Sequence, residues 1–237
     1  MIAICLMFKD ENEFLQEFLN YHKSLGFDKV ILYDNNSKIT PVVDSSFVII
    51  ENWTDISVGK QQRAYNHCIN KYRSDFDWIA FIDTDEYIIL KNHKNIKSFL
   101  KDYDHADAVG LNWLVYGSSY LEDFKSHRDF YMHSDYLDPI NEHIKSIVKT
   151  KKVPNNFFSL HHFPVKTVNV NNKLITTDFS KPPVHSIAYI KHCLTRTRKE
   201  FERKMIRGRG DGVRSYSYTF EETEARFNKL QIEKGYT

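Results

Sequence analysis

The sequence predicts an α/β fold: a central, mainly parallel sheet flanked by helices. Three observations lead there. Short apolar runs alternate with segments of helical spacing through the first 90 residues, the pattern of β-α-β units with parallel pairing and a crossover helix. The apolar runs are continuous rather than alternating, as in strands buried on both faces. A chain of 237 residues with 41% apolar and 14% aromatic content is long and apolar enough to bury a sizeable core.

The elements follow in order. Ile2–Phe8 reads as the first strand. Leu15, Phe18, Leu19, His22 and Leu25 then recur at helical spacing, and Gly26 stops the helix. Lys29–Tyr33 is the second strand, running into Asp34-Asn35-Asn36-Ser37. Val48–Glu51 is the third, and Ser57–Tyr72 a helix with Ser57 or Asp55 as its cap. Trp78–Ile82 is the fourth strand. Further on, Ile96–Leu100 predicts a helix. Ala108–Tyr116, Ile144–Val148 and Phe157–His161 predict strands, residues 166–186 a polar loop, and Leu194–Arg207 a helix with Leu194, Phe201 and Met205 inward. We expect one catalytic domain over residues 1–237. Residues 1–90 form its nucleotide-binding half, residues 91–190 an acceptor-side half and residues 191–237 a basic helical segment.

The fourth strand ends in Asp83-Thr84-Asp85-Glu86. Asp-x-Asp triplets arise readily by chance, and this chain has three, the others being Asp75–Asp77 and Asp102–Asp104. Only Asp83–Asp85 closes a five-residue apolar run. In an open α/β sheet, ligands bind beyond the carboxyl ends of the strands. Two carboxylates there, one residue apart, suit a hard divalent cation able to hold a diphosphate. No Gly-x-Gly-x-x-Gly follows the first strand, so a metal on the acids, helped by basic residues, would take the place of a glycine-rich phosphate cradle.

Charge and cysteine usage narrow the remaining classes. The net charge of +2 gives no global reason to bind nucleic acid. Cys5, Cys68 and Cys193 are far apart, which excludes a Cys-x-x-Cys zinc site and favours a reducing, cytoplasmic setting. The N-terminal apolar run lacks a basic flank and is too short for a signal peptide or span. Residues 191–214 hold nine Lys or Arg against three acids. That helix would supply Lys204, Arg207 or Arg209 to a diphosphate, or rest on anionic lipid at the inner face of the membrane.

Several blocks in order resemble glycosyltransferases related to families 2 and 92. They are Lys9-Asp10-Glu11-Asn12-Glu13, Tyr21-His22-x-x-Leu25-Gly26-Phe27-Asp28, Tyr33-Asp34-Asn35-Asn36-Ser37, Ala64-Tyr65-Asn66-His67-Cys68 and Trp78 to Tyr87. Asn112-Trp113-x-x-Tyr116-Gly117-Ser118-Ser119, His143 to Lys149, and His192 with Glu200-Phe201-x-x-Lys204-x-x-Arg207-Gly208 continue the series. The resemblance spans nearly the whole chain. It implies a GT-A fold, a nucleotide-sugar donor (UDP first), Mn²⁺ or Mg²⁺, and inverting transfer to a cell-surface glycan or lipid-linked oligosaccharide. It implies that Asp34 contacts the nucleoside, that Lys9 and Glu11 line the same pocket, and that the stretch from Gly59 to Asn66 runs beside the diphosphate with Lys60 as its cation. Asp83 would face the ribose or metal, and Asp85 would bind the metal.

A histidine often completes such a metal site. We expect His161, then His192, then His185. For the general base we expect Glu122 or Asp123, with Asp129 and Glu142 behind them. Trp113 and Tyr116 would stack on an acceptor sugar. A phosphohydrolase is disfavoured because its Asp-x-Asp pair sits on the first strand, and a nucleotidyltransferase because the glycine-rich loop is missing. An inactive glycan- or lipid-binding domain is disfavoured by the intact acid pair.

Overall fold

A computed structural model describes residues 1–117, 126–129, 131–132, 137–207 and 220–229. The chain runs β1 (Ile2–Phe8), α1 (Asn12–Ser24), β2 (Lys29–Asp34), β3 (Val48–Asn52), α2 (Lys60–Tyr72), β4 (Trp78–Phe81), β5 (Glu86–Leu90), α3 (Ile96–Lys101) and β6 (Ala108–Gly117). It continues through β7 (Tyr131–Met132), β8 (Ile144–Lys149), β9 (Thr167–Asn169), β10 (Leu174–Ile175), β11 (Ala188–Cys193), α4 (Arg198–Arg207) and α5 (Phe220–Lys229).

The strands order β10-β9-β6-β8-β4-β1-β2-β3, with β8 and β10 reversed against an otherwise parallel run. This is the mixed α/β architecture with a mostly parallel central sheet that the sequence predicts. Strand β6 is long enough to serve two partners. Its first half pairs with β8 and β9, and its second half with β11, which in turn holds β5 antiparallel.

Side-chain alternation divides the core into two layers. From β1 and β2, Ile4, Leu6, Val30 and Leu32 face α1 and α3, joining Leu15, Phe18 and Phe99. Ala3, Cys5, Ile31 and Tyr33 face α2, joining Ala64, Tyr65, Cys68 and Ile69. All three thiols are free and buried, and the two foreseen as small core residues, Cys5 and Cys68, lie in the α2 layer.

Five expectations need correction. The helix expected over Leu194–Arg207 begins only at Arg198, because β11 runs to Cys193 and Arg196 takes φ 51°. Phe157–His161 is not a strand. Its backbone is satisfied by side chains of α2: Asn66 Oδ1 accepts the Phe157 N–H at 3.0 Å and Asn66 Nδ2 donates to the Phe157 carbonyl at 3.0 Å. The apolar run belongs to Phe157 and Phe163 packing into the α2 layer, not to sheet pairing. Helix α2 begins at Lys60 rather than Ser57, because Asp55 Oδ1 accepts the Ser57 N–H in a turn of its own and Gly59 enters the helix at φ 81°. The loop over 166–186 contains the pair β9 and β10. Strands β5 and β11 were not foreseen, since each carries charged residues whose partners lie far away in sequence.

Candidate active site

Strands β1, β2 and β4 run parallel and end side by side, so the loops after them meet. Asp34 closes β2, is buried, and its Oδ1 accepts the Ser37 N–H at 3.1 Å. The Ser37 hydroxyl accepts the Asp10 N–H at 3.0 Å, and Asp10 accepts the Lys38 N–H at 2.7 Å, tying the β1 and β2 loops together.

The acid pair has two different environments. Asp83 lies one residue beyond Ile82 at the end of β4. Antiparallel pairing of β4 with β8 brings Lys145 opposite, and its Nζ donates to Asp83 Oδ2 at 2.7 Å. Gln61, in the first turn of α2, donates to Asp83 Oδ1 at 3.0 Å. Burial would raise the Asp83 carboxyl, but the Lys145 charge overrides it and holds the group below the ordinary carboxylate range.

Asp85 is set by β5 and β11. Its carbonyl accepts the Cys193 N–H at 2.8 Å, which draws the end of β11 alongside. His192 Nε2 then lies 3.7 Å from Asp85 Oδ2, and Lys204 Nζ of α4 donates to the same oxygen at 2.5 Å. Burial again acts upward. Lys204 and then His192 reverse it and hold Asp85 well below its usual value.

Between them the connections are dense. The Thr84 hydroxyl donates to Glu11, Arg196 Nη2 donates to Thr84 Oγ1 at 3.0 Å, and the guanidinium lies 3.9 Å from the Phe14 ring centroid. Arg196 takes φ 51°, a left-handed conformation uncommon for a bulky residue and held here by these contacts. Glu86 is fully buried, accepts the Asp83 N–H at 2.9 Å and lies 3.4 Å from Lys145. Burial pushes it up to about 8, with Lys145 opposing and the charges of Asp83 and Asp85 adding.

A cleft of about 580 Å³ is lined by Lys9, Lys38, Arg196, Arg203 and Lys204 together with the acids Asp10, Glu11, Glu13 and Glu200. The structure thus brings together Lys9, Glu11 and Lys204 on one cleft, with Lys204 reaching from it to Asp85. Lys60 starts α2, and its carbonyl accepts the Trp53 indole N–H at 3.2 Å. Asn66 is not brought to the acids: its amide clamps Phe157.

The expected histidine, His161, lies on the Asp83 side. Its Nδ1 donates to the Ile144 carbonyl at 2.9 Å, and burial together with Lys145 pushes it down to about 4. His192 is the imidazole beside Asp85, because β11 pairs with β5 immediately after the acid pair. His185 is bonded to the Trp113 carbonyl at 2.7 Å.

Trp113 packs against His192, His143 and His161, with centroids 4.4, 4.7 and 5.6 Å apart. Tyr116 lies under Lys191 Nζ at 4.1 Å. Glu122 and Asp123 fall outside the described residues, as does Arg209. Arg207 ends α4, and Glu142 pairs with Lys181 at 2.5 Å. Sequence reasoning missed Gln61, Lys145 and Arg196 as site residues. A lysine inside a predicted strand otherwise free of charge from Ile144 to Val148 was a signal for Lys145, whereas Arg196 was hidden among eight other basic residues.

Among the described residues, no three carboxylate, imidazole or thiolate groups converge closely enough to hold an ion unaided. Asp85 and, 3.7 Å from it, His192 are the groups that would hold a divalent ion such as Mg²⁺ or Mn²⁺, which would supply Lewis-acid charge stabilisation there.

An α/β domain with strand-end acids tied by Lys204 to a cleft of mixed charge is the class that the fold and site define. A sequence model described as glycosyltransferase family 92 matches residues 1–230, and the chain belongs to that family. A glycosyltransferase family 92 protein of Arabidopsis thaliana is 23% identical, over 96% of this chain and 40% of its own length. One from Ricinus communis is 29% identical over 44% of this chain and 20% of its own. The chain therefore spans less than half the length of these relatives. Among solved structures, glucosyl-3-phosphoglycerate synthase from Mycobacterium tuberculosis, in complex with Mn²⁺, UDP and glucosyl-3-phosphoglycerate, covers 65% of this chain and 59% of its own. It has 12% identity and a TM-score of 0.35, too low to carry an argument.

Proposed function

We propose that this chain is the catalytic domain of a metal-dependent, inverting glycosyltransferase of GT-A type. It transfers a hexose from a UDP-sugar to a cell-surface glycan or lipid-linked oligosaccharide. Family membership supports glycosyl transfer. The observation that carries the rest is Asp85, an ionised carboxylate at the end of the β4 run, shared between His192 and Lys204 beside a cleft lined with further cations.

In the proposed reaction the glycosidic C–O bond to the diphosphate breaks and negative charge builds on the leaving group. A divalent ion bound by Asp85, with His192 beside it, supplies Lewis-acid stabilisation of that charge. Lys204, with Arg203 on the cleft wall, adds positive charge toward the departing diphosphate. Lys145 and Gln61 hold Asp83 at its two oxygens, and we offer it as the group beside the ribose or the ion. Glu122 or Asp123 is our choice for the base that takes the acceptor proton. Trp113 and Tyr116 are offered as the acceptor platform, and galactose is the first sugar to test, glucose the second.

No described helix is long and apolar enough to cross a membrane. Peripheral contact of the basic segment with anionic lipid at the inner, cytoplasmic face is proposed as the route to a lipid-linked acceptor. A nucleotide-sugar panel scored by Mn²⁺-dependent donor hydrolysis tests the reading. We expect turnover of one UDP-hexose above the rest, and a loss of about 100-fold or more in Asp85→Ala, in line with removal of a charge-stabilising group. Equal hydrolysis by Asp85→Ala and parent would contradict it.

A further inference from the structure

Resting on the proposal that Asp85 takes a divalent cation, one contact carries further. Lys204 Nζ donates to Asp85 Oδ2 at 2.5 Å, and the same ammonium lies 3.4 Å from the Leu194 carbonyl. His192 Nε2 approaches that same oxygen, at 3.7 Å. A divalent ion ligated by this oxygen sits about 2.0–2.2 Å from it. An ammonium at 2.5 Å and such an ion would compete for one carboxylate oxygen, at a separation where two positive charges repel strongly in a partly desolvated site.

We propose that Lys204 is an exchangeable counter-ion of Asp85. It holds the carboxylate until the divalent ion arrives, then swings its ammonium into the cleft, where it meets the diphosphate. Metal and nucleotide binding are coupled through this one side chain.

The surroundings favour a swing of the side chain rather than a shift of the helix. The segment entering α4 is pinned by Arg196, which bonds Thr84 and Glu11 and stacks on Phe14. Phe201, on the inner face of α4, is buried and packs against Phe227 of α5, with centroids 5.6 Å apart. Lys204 itself is one-third exposed (33%) and borders the cleft, and its four-carbon stem is long enough to reposition the charge with the backbone fixed.

The coupling has a definite sign. Lys204 opposes the cation when the cation comes alone and favours the diphosphate once displaced. UDP therefore tightens the divalent ion, and by reciprocity the ion tightens UDP.

Titration calorimetry with MnCl₂ alone, and again with UDP saturating, reads this out without turnover. The proteins are the parent, Lys204→Met, Lys204→Gln and Asp85→Asn, each checked for folding by circular dichroism. We expect both Lys204 variants to bind Mn²⁺ alone at least 5-fold more tightly than the parent. We also expect the tightening of Mn²⁺ by UDP to shrink at least 5-fold in them. Mn²⁺ affinity equal to or weaker than the parent's in the folded Lys204 variants would overturn the exchange while leaving Asp85 as the ligand. Unchanged Mn²⁺ binding in Asp85→Asn is a different failure, since it removes the cation site itself. Two variants of different polarity keep the test open if one fails to fold.

Discussion

Glu86 shows how much of this site is decided at single residues. It follows the acid pair directly, yet it is buried, partly opposed by Lys145 and pushed up to about 8 from an ordinary 4.5. Between those two values the folded chain holds a proton that the unfolded chain has released. Its contribution to stability is therefore full below about 4.5 and declines as pH rises toward 8, by at most about 1.4 kcal/mol per pH unit. Glu86→Gln keeps an acceptor for the Asp83 N–H and removes the titration. We expect thermal melts from pH 5 to 8 to show a flatter decline in the variant than in the parent. Parallel slopes would mean that Glu86 is ionised when folded. Three acids in four positions were plain in the sequence. Which of them keeps its proton was not, because that depends on the burial of Glu86 and on the cations Lys145 and Lys204 that fold against Asp83 and Asp85 from far along the chain.

At the scale of elements, the segment after β8 is held by α2 in place of a strand partner. Asn66 makes hydrogen bonds of 3.0 Å to both the N–H and the carbonyl of Phe157, whose side chain packs on Phe163, which in turn packs on Phe81. Removing that amide leaves the Phe157 N–H without its partner, at about 1–3 kcal/mol where it is buried, while the carbonyl keeps the Gln62 amide as a donor. Asn66→Ala should lower the unfolding free energy in urea by about 2 kcal/mol. If Asn66 contributes to the nucleotide pocket, as the resemblance implied, the variant would instead lose UDP affinity at unchanged stability. The strands of the parallel half were legible because each is a continuous apolar run bounded by polar residues. Strands β5 and β11 were not, since Glu86, Lys191 and His192 interrupt the apolar pattern with charges that find partners only in three dimensions. The same blindness turned Phe157–His161 into a strand, because an apolar run announces burial and leaves open what satisfies its backbone.

For the molecule as a whole, the acids at the end of β4 gain meaning from what the topology delivers to them. Antiparallel β8 brings Lys145, α2 brings Gln61, β11 brings His192, and α4 brings Lys204 back across more than a hundred residues. The acid pair and the cleft residues Lys9 and Glu11 were readable in the sequence. The choice of His192 over His161 beside Asp85 was not, because it follows from β5–β11 pairing, which no local pattern reveals. The central claim is that this assembly binds a nucleoside diphosphate through a divalent ion on Asp85. Calorimetric titration of the parent with UDP, in the presence and absence of Mn²⁺, tests it most directly. Saturable UDP binding with Mn²⁺, weakened at least 10-fold without it, is the expected result. Equal affinity in both conditions, or no UDP binding in either, would contradict it.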